Sequence, residues 1–217
     1  MELWIFRHPV SVWNIQHIHQ GQSYDDPGLA PEGLLQAKKI AEYLSGFPLL
    51  GIWSSPLPRT MQCAKIIQRN QAESVSIYQD NDLIEVSNGA LDGMTFKEIK
   101  EKYPEVWERW EKKELDKPLF HGGESAYDVS MRGVRAFARA ASHAFFLSCE
   151  HKRIGFSVII SHGATIAYSL ARIANIPIEQ AFERFEQDNG ARNALFWNNN
   201  VFEIVRTNDT SHLGDTV

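Results

Sequence analysis

Arginine and histidine side chains follow three predicted strands, each near the point where a strand ends. Arg7 and His8 come directly after the first apolar run, Arg59 lies shortly after the second, and His162 follows the strongest strand signal of the chain. In an open α/β sheet, ligands bind at the carboxyl ends of the strands. Guanidinium groups pair well with phosphate oxygens, so this placement predicts a compact positive pocket for a phosphorylated ligand.

The helix predicted after His162 begins with the small residues Gly163 and Ala164. Small side chains let an anion approach the free backbone N–H groups of a helix N-terminus, so both residues are predicted to help bind phosphate. Each of these signals alone is more often a surface or capping feature than a site. Their shared order and placement favour a pocket.

The elements that must position these residues alternate between short apolar strands and helices of crossover length. This pattern indicates an α/β fold: a three-layer sandwich with a mostly parallel central sheet flanked by helices. The predicted strands cover residues 3–6, 52–53, 75–78 and 154–160, and a final hairpin pairs 194–197 with 201–205 across 198–200. The predicted helices cover residues 31–44, 57–69, 96–103, 104–112, 125–149, 164–173 and 177–185.

The length and composition suit one domain. We expect residues 1–217 to form a single unit, with a helical insertion at about 90–123 that covers the site. The polar tail after Asn208 is expected to fray.

Charge and cysteine usage exclude several classes of protein. The formal net charge of −5 argues against a nucleic-acid binder, because such proteins usually carry a basic surface. With only two cysteines, a disulfide framework is not expected, and a reducing compartment is favoured. We see no signal peptide and no apolar stretch that is long and uninterrupted enough for a membrane span, so we expect a cytoplasmic protein without membrane partners. The oligomeric state is left open.

A set of short motifs occurs in one order between residues 3 and 213, and together they resemble the histidine phosphatase superfamily (phosphoglycerate mutase-like), in its phosphatase branch. The motifs are Arg7-His8, Trp13-Asn14, Gln20-Gly21, Asp26-Pro27, Gly33, Gln36-Ala37, Ser54-Ser55-Pro56-Leu57-Pro58-Arg59, Leu83-Ile84-Glu85, Gly89, Asp92-Gly93, Gly122-Gly123-Glu124-Ser125, Arg132, Ser161-His162-Gly163 and Asn208-Asp209-Thr210-Ser211-His212-Leu213.

The resemblance implies a role for each of the reactive residues. His8 would attack phosphorus and form a phosphohistidine. Arg7, Arg59 and a cationic His162 would hold the non-bridging oxygens, where charge must be stabilised during transfer. Glu85 would protonate the departing alcohol and then take a proton from water.

The resemblance also implies a substrate site, with no cofactor and no metal. Asn14, Gln20 and Gly21 would bind phosphate or substrate beside Gly163 and Ala164. The substrate would be a small phosphorylated metabolite. Sugar phosphates, phosphoglycerates, a ribazole phosphate and phosphoproteins all stay open, because one fold and one core chemistry serve many substrates.

Two positions depart from the family pattern. Pro9 stands where glycine is usual after the first histidine, and proline removes a backbone donor and restricts His8. Ile18 stands where an arginine often precedes the Gln-Gly pair, so a positive contact to substrate is expected to be missing. His17 and His19 form a His-x-His pair, but a metal site needs a third ligand, and we expect them to line the substrate mouth instead.

Two other functions remain as alternatives. A phosphoglycerate mutase-type phosphotransferase would carry a longer lid with extra basic residues, whereas residues 93–122 are few and hold as many acids as bases. A non-catalytic phosphate-binding module is suggested by Pro9 and Ile18. Retention of Arg7, His8, Arg59, Glu85 and His162 argues for an enzyme.

Overall fold

The strands of the chain form a single central sheet. We analysed a computed structural model, which describes residues 1–114, 116–150, 152–198 and 200–214. In this part of the chain, six strands pair in the order β3-β2-β4-β1-β5-β6. The first four are mutually parallel, and β5 and β6 add antiparallel strands at one edge. The sheet is therefore mostly parallel, as predicted.

The bounds of the elements agree with the prediction within a few residues at most ends. The strands are β1 (Glu2–Arg7), β2 (Leu49–Ser54), β3 (Ile77–Gln79), β4 (Phe156–Ser161), β5 (Arg192–Asn198) and β6 (Val201–Asp209). The helices are α1 (Val12–Ile15), α2 (Pro31–Leu44), α3 (Pro58–Arg69), α4 (Phe96–Lys102), α5 (Pro104–Glu111), α6 (Ala126–Glu150), α7 (Gly163–Ile173) and α8 (Ala181–Arg184). The tip of the predicted hairpin includes Asn199, which lies outside the described residues.

Helices cover both faces of the sheet because successive strand residues point to opposite sides. On one face, Leu3, Ile5 and Ile159 pack with the buried residues of α6 and α7. On the other face, Phe6 and Ile160 pack with the buried residues of α2 and α3. The two apolar cores give the three-layer α/β sandwich that the sequence predicts.

The central strands bring the predicted site residues to one edge. Arg7 at the end of β1 is in register with Ser161 at the end of β4, and Ser54 of β2 is in register with Ile160. The backbone then continues this alignment for one residue, because the His8 N–H donates to the Ser161 carbonyl at 2.9 Å. Three loops therefore leave the sheet side by side.

Two local predictions differ from the structure. The helix predicted for residues 177–185 is a 3₁₀ turn, Ile178–Gln180, followed by the short α8. Its buried side chains, Ile178, Ala181 and Phe185, have helical spacing, which explains the prediction. The short α1 in the polar segment after β1 was not predicted; it begins with a capping box between Ser11 and Asn14.

The prediction that the tail frays after Asn208 is wrong for the described residues. A 3₁₀ turn spans Ser211–Leu213, and Leu213 is fully buried against the α2 face of the sheet. The ring of His212 stacks on Tyr43 with centroids 5.4 Å apart, and Lys39 donates to the Leu213 carbonyl. These packing and hydrogen-bond contacts order the described part of the tail although its composition is polar.

The segment predicted as an insertion has a small core of its own. Leu91, Ile99 and Val106 are buried together, with half-buried aromatic and aliphatic side chains around them. Helix α4 begins with a capping box between Thr95 and Glu98, and α5 begins with Pro104 in its first turn. In the part of the chain that the structure describes, no helix is both long and apolar enough to cross a membrane.

Candidate active site

His8 is buried at the end of β1 and is held in one tautomer. Its side chain is almost inaccessible, with 2% exposed, and Nδ1 lies 2.8 Å from the carbonyl oxygen of Pro9. A carbonyl can only accept, so Nδ1 carries the proton and Nε2 keeps its lone pair. Pro9 lacks a backbone N–H but keeps its carbonyl, so this departure from the family pattern preserves the hydrogen bond that orients His8.

The protonation state of His8 follows from its surroundings. Burial lowers the pKa of the imidazole well below 6.5, and the charges of Arg59 and Arg7 lower it further. The ring is therefore neutral at neutral pH. A neutral imidazole with a free Nε2 lone pair is a nucleophile that needs no further deprotonation.

The two arginines are positioned by acceptors on one side of each guanidinium. Arg59 is buried in α3, where Nη1 pairs with Asp26 at 2.7 Å and Nη2 donates to the Gly21 carbonyl at 3.0 Å. Arg7 Nη1 donates to the Gln187 carbonyl at 2.5 Å. Among the described residues, neither Nε–H has an acceptor, although both atoms are buried. Two orphaned donors beside His8 suit an anionic ligand.

His162 lies behind the cavity wall, at the start of α7. It is fully buried, its ring centroid is 5.3 Å from that of His8, and Nε2 lies 2.8 Å from Ser55 Oγ. Burial, followed by the charge of Arg59, lowers its pKa well below 6.5. His162 is therefore neutral in the free protein, and its expected cationic form during phosphoryl transfer stays a prediction. A bound phosphate dianion would favour the charged form.

Glu85 faces the N-terminus of α7. Its Oε1 accepts from the backbone N–H of Thr165 at 3.1 Å, and Oε2 accepts from the N–H of Ala164 at 3.3 Å. The carboxylate thus occupies helix amides that the sequence assigned to a phosphate. For Ala164, the predicted phosphate contact is replaced by this bond to Glu85 in the free protein.

Gly163 packs against one of the arginines. A Cβ atom added at this residue would lie 3.4 Å from Arg7 Nε, an ordinary van der Waals distance, so the guanidinium lies beside the first residue of α7 without requiring glycine there. Gly163 also lines the cavity, where its predicted contact with phosphate stays a prediction.

The loop after β1 contributes amide side chains to the cavity. Asn14 Oδ1 accepts from the Ser11 N–H at 2.9 Å, and Gln20 Oε1 accepts from the Ser11 hydroxyl at 2.8 Å. These bonds direct the Asn14 and Gln20 side chains, both of which line the cavity. Gly21 has a φ of +45°, and a side chain there would collide with the Asp92 carboxylate.

The residues described so far surround one cavity of about 390 Å³. It is lined by Arg7, His8, Asn14, His19, Gln20, Gly21, Arg59, Glu85, Val86, Asn88, Phe96, Trp110, Lys117, Leu119, Glu124, Ala126, Gly163, Ala164, Tyr168, Phe182, Glu186 and Gln187. All the predicted site residues line it except His162, whose ring lies 5.3 Å from that of His8. Asp26, Ser55 and Gln187 were assigned no role from the sequence, although Asp26 and Ser55 stand in recognised motifs.

The two histidines of the His-x-His pair lie in different surroundings. His17 is exposed, whereas His19 lines the cavity, close to Asn88 Nδ2 at 2.7 Å and Asp92 Oδ1 at 3.7 Å. The described residues include no group of three His, Cys, Asp or Glu side chains arranged to hold a metal.

Ile18 lies outside the cavity lining, and the expected loss of a positive substrate contact at this position stays a prediction. It forms an isolated bridge with Thr95 and is absent from the lining of the cavity. The loop after β1 therefore pairs with the start of α4, and this pairing turns residue 18 away.

The lowered pKa of His8 gives a testable pH dependence. In NMR titrations of the free protein, with His8 assigned by its absence from the spectrum of H8A, its midpoint should lie clearly below 6.5. Because the unfolded chain binds this proton at higher pH, the contribution to stability is present above about pH 6.5 and is lost on acidification. A midpoint at or above 6.5 would contradict the burial argument.

Comparisons with known proteins agree with this geometry. The model of the histidine phosphatase superfamily (branch 1) matches residues 3–210. Phosphoserine phosphatase 1 of Hydrogenobacter thermophilus is 30% identical over 99% of this chain and 95% of its own length. Probable phosphoglycerate mutase GpmB of Proteus mirabilis is 27% identical over 99% and 96%. The solved structure of YhfR from Bacillus stearothermophilus, 23% identical, covers 98% of both chains with a TM-score of 0.82.

Proposed function

Because the chain belongs to the histidine phosphatase superfamily, we propose that it hydrolyses small phosphomonoesters through a phosphohistidine on His8. One observation carries the proposal above the others. His8 is a neutral imidazole with its Nδ1–H bonded to a carbonyl at 2.8 Å, and it lies beside two arginines whose Nε–H donors are unused in the described structure. The nucleophile and the two arginines that would bind the phosphate oxygens are thus both in place for a phosphoryl group.

The first step would join His8 Nε2 to phosphorus and break the bond between phosphorus and the ester oxygen. Arg7 and Arg59 would hold the non-bridging oxygens through their Nε–H groups. His162 would add a donor from beneath the site and take up a proton as the dianion binds. In the second step, a water oxygen would replace Nε2 on phosphorus, releasing inorganic phosphate and the free imidazole.

Glu85 would carry the proton in both steps. In its protonated form it would donate to the departing alkoxide, and the resulting carboxylate would then accept a proton from the attacking water. Its bonds to the amides of Ala164 and Thr165 fix where the carboxylate lies.

The outer half of the cavity favours an uncharged leaving group with an apolar ring. Two aromatic pairs line it: Phe96 and Trp110, with centroids 5.6 Å apart, and Tyr168 and Phe182, 5.3 Å apart. Phe182 leaves 47% of its surface exposed there. Rings of this kind stack on planar or apolar ligand groups. Since α4 and α5 supply the first pair, we propose that residues 90–123 cover the site.

The charges of the cavity favour hydrolase over mutase. Apart from Arg7 and Arg59, Lys117 is the one Lys or Arg among the described lining residues, and it is exposed. A mutase must hold a second anionic group while the phosphoryl group moves, and one solvated lysine contributes little to that. Release of phosphate to water is the outcome that this charge distribution supports.

A screen of phosphomonoesters on the purified protein tests the proposed function. The panel should contain p-nitrophenyl phosphate, 2-phenylethyl phosphate, ethyl phosphate, phosphoserine and 3-phosphoglycerate, with released phosphate as the readout. We expect turnover, with 2-phenylethyl above ethyl phosphate by roughly tenfold from contacts with the aromatic pairs. Binding of phosphate without turnover of any ester would indicate a non-catalytic module. Isomerisation of phosphoglycerate faster than its hydrolysis would indicate a mutase.

Activity should be insensitive to metal chelation. Arg7 and Arg59 already supply positive charge at the nucleophile, so the phosphate needs no divalent ion to neutralise it. Turnover of the best ester is expected to stay within about twofold after dialysis against EDTA, since ligand removal affects only sites that use a metal. Loss of activity on chelation, restored by a divalent ion but not by dialysis alone, would contradict this and point to His19.

A further inference from the structure

Arg132 lies in α6, outside the cavity, and is 7% exposed. Every N–H of its guanidinium is used. Nε and Nη2 form a fork with the two carboxylate oxygens of Glu124, at 2.8 and 2.9 Å. The remaining donors bind three backbone carbonyls, those of Asp82 at 3.0 Å, Ile84 at 2.5 Å and Glu85 at 3.0 Å. A guanidinium has five donors in fixed directions, so this arrangement is highly directional.

The three carbonyls belong to an irregular segment. A 3₁₀ turn ends at Leu83, and Ile84 is extended, so the segment has no ladder of backbone hydrogen bonds. Partly buried backbone carbonyls need partners, and Arg132 supplies a donor to each of the three. The carbonyls of Ile84 and Glu85 belong to the two peptide groups on either side of the Glu85 Cα. One guanidinium therefore holds both peptide planes that set the direction of the Glu85 side chain.

The rest of the network reinforces the same segment. Gln22 Nε2 donates to the Glu85 carbonyl at 2.8 Å and to Glu124 at 2.8 Å, and the Thr165 hydroxyl donates to the Ile84 carbonyl at 2.7 Å. Arg132 joins the Ile84 and Glu85 carbonyls to the 25-residue helix α6, whereas Arg135 and Arg139 of the same helix bind only the Asp82 carboxylate of this segment. An acid that must meet a leaving oxygen tolerates little displacement, since about 1 Å can cost roughly 10²-fold in rate.

We propose that Arg132 is a positioning residue for Glu85: through the carbonyls of Ile84 and Glu85 it aims the general acid at the leaving oxygen. The inference rests on the role proposed for Glu85. Arg132 does not line the cavity, so its main effect on the reaction should pass through that carboxylate. Its charge also contributes to the low pKa of His162, and a lysine keeps the charge while losing the fork. R132K therefore separates two effects: it weakens the positioning of Glu85 but keeps the positive charge near His162.

The test compares R132K with R135K for two classes of ester. Arg135 is a matched control, one turn further along α6, mostly exposed and paired with the Asp82 carboxylate at 3.4 Å. With an alkyl phosphate, R132K should lower kcat/KM by roughly 10–100-fold. With p-nitrophenyl phosphate, whose leaving group hardly needs a proton, the loss should be about threefold or less. R135K should match the parent protein for both esters.

A double variant shows whether the effect passes through Glu85. In an E85Q background, R132K should add less than about a twofold loss with the alkyl ester, because residues that act as a unit are not additive. Equal losses with both esters, or a full additional loss in E85Q, would overturn the proposal. If E85Q alone shows no dependence on the leaving group, the role of Glu85 fails instead. Should R132K not fold by circular dichroism, E124Q, which weakens the fork, must show the same selective loss or the proposal fails.

Discussion

Replacing His8 with alanine should abolish turnover, by roughly 10⁴–10⁶-fold with every ester, as expected when a covalent nucleophile is removed. The loss should be independent of the leaving group, because without Nε2 no phosphoenzyme forms from any substrate. The loss of turnover is measured as phosphate release in single-turnover and steady-state experiments. The fold should survive, since a buried imidazole that is held neutral contributes no ion pair to stability.

The same experiment can trap the intermediate. Parent protein that is mixed with substrate and quenched in milliseconds should carry phosphate on His8, stable in alkali and lost in acid, and H8A should carry none. H121A, a change of an exposed histidine outside the cavity, is the control and should behave as the parent protein does. Turnover by H8A close to the parent rate, with an unchanged melting temperature, would remove His8 from the mechanism.

The sequence predicted the fold well because each core element has a clear apolar period. Strands β1 and β4 are largely apolar and end at Arg7 and Ser161, and parallel pairing then places the following residues together. The predictions that failed concern short segments of the chain. Helix α1 depends on a capping box of two polar side chains, which a search for apolar periodicity does not detect. The ordered tail depends on one buried side chain, Leu213, within a polar segment.

The sequence predicted which residues lie at the candidate site, but it predicted their charge and surroundings less well. Spacing and motif order brought His8, Arg59 and Glu85 to one cavity, yet charge depends on burial, which only three dimensions reveal. His162 is expected as a cation during transfer, whereas its complete burial beside Arg59 lowers its pKa in the free protein. The sequence also did not predict that Ile18 forms an isolated bridge with Thr95, nearly eighty residues later in the chain, and stays outside the cavity lining.

Changing Glu85 to glutamine should produce a loss that depends on the leaving group. The variant keeps the size of the side chain and removes its proton, so an alkyl phosphate should be hydrolysed roughly 10²–10⁴-fold more slowly. With p-nitrophenyl phosphate the first step hardly needs the acid, and the loss should be much smaller. A plot of log kcat/KM against the pKa of the leaving alcohol should therefore be steeper for E85Q than for the parent protein.

The loss with p-nitrophenyl phosphate should be small but measurable. Glutamine has one acceptor oxygen, whereas Glu85 Oε1 and Oε2 together accept from Thr165 and from the Ala164 N–H at 3.3 Å. Whichever way the amide turns, its NH₂ group faces a backbone N–H, so the side chain shifts and one donor of α7 loses its partner. Slow dephosphorylation, where no base activates the water, should lower kcat rather than kcat/KM, and phosphoenzyme should accumulate as a burst. E203Q, an exposed change on β6, should show neither effect. Equal losses for both classes of ester, without a burst, would assign proton transfer to a group other than Glu85.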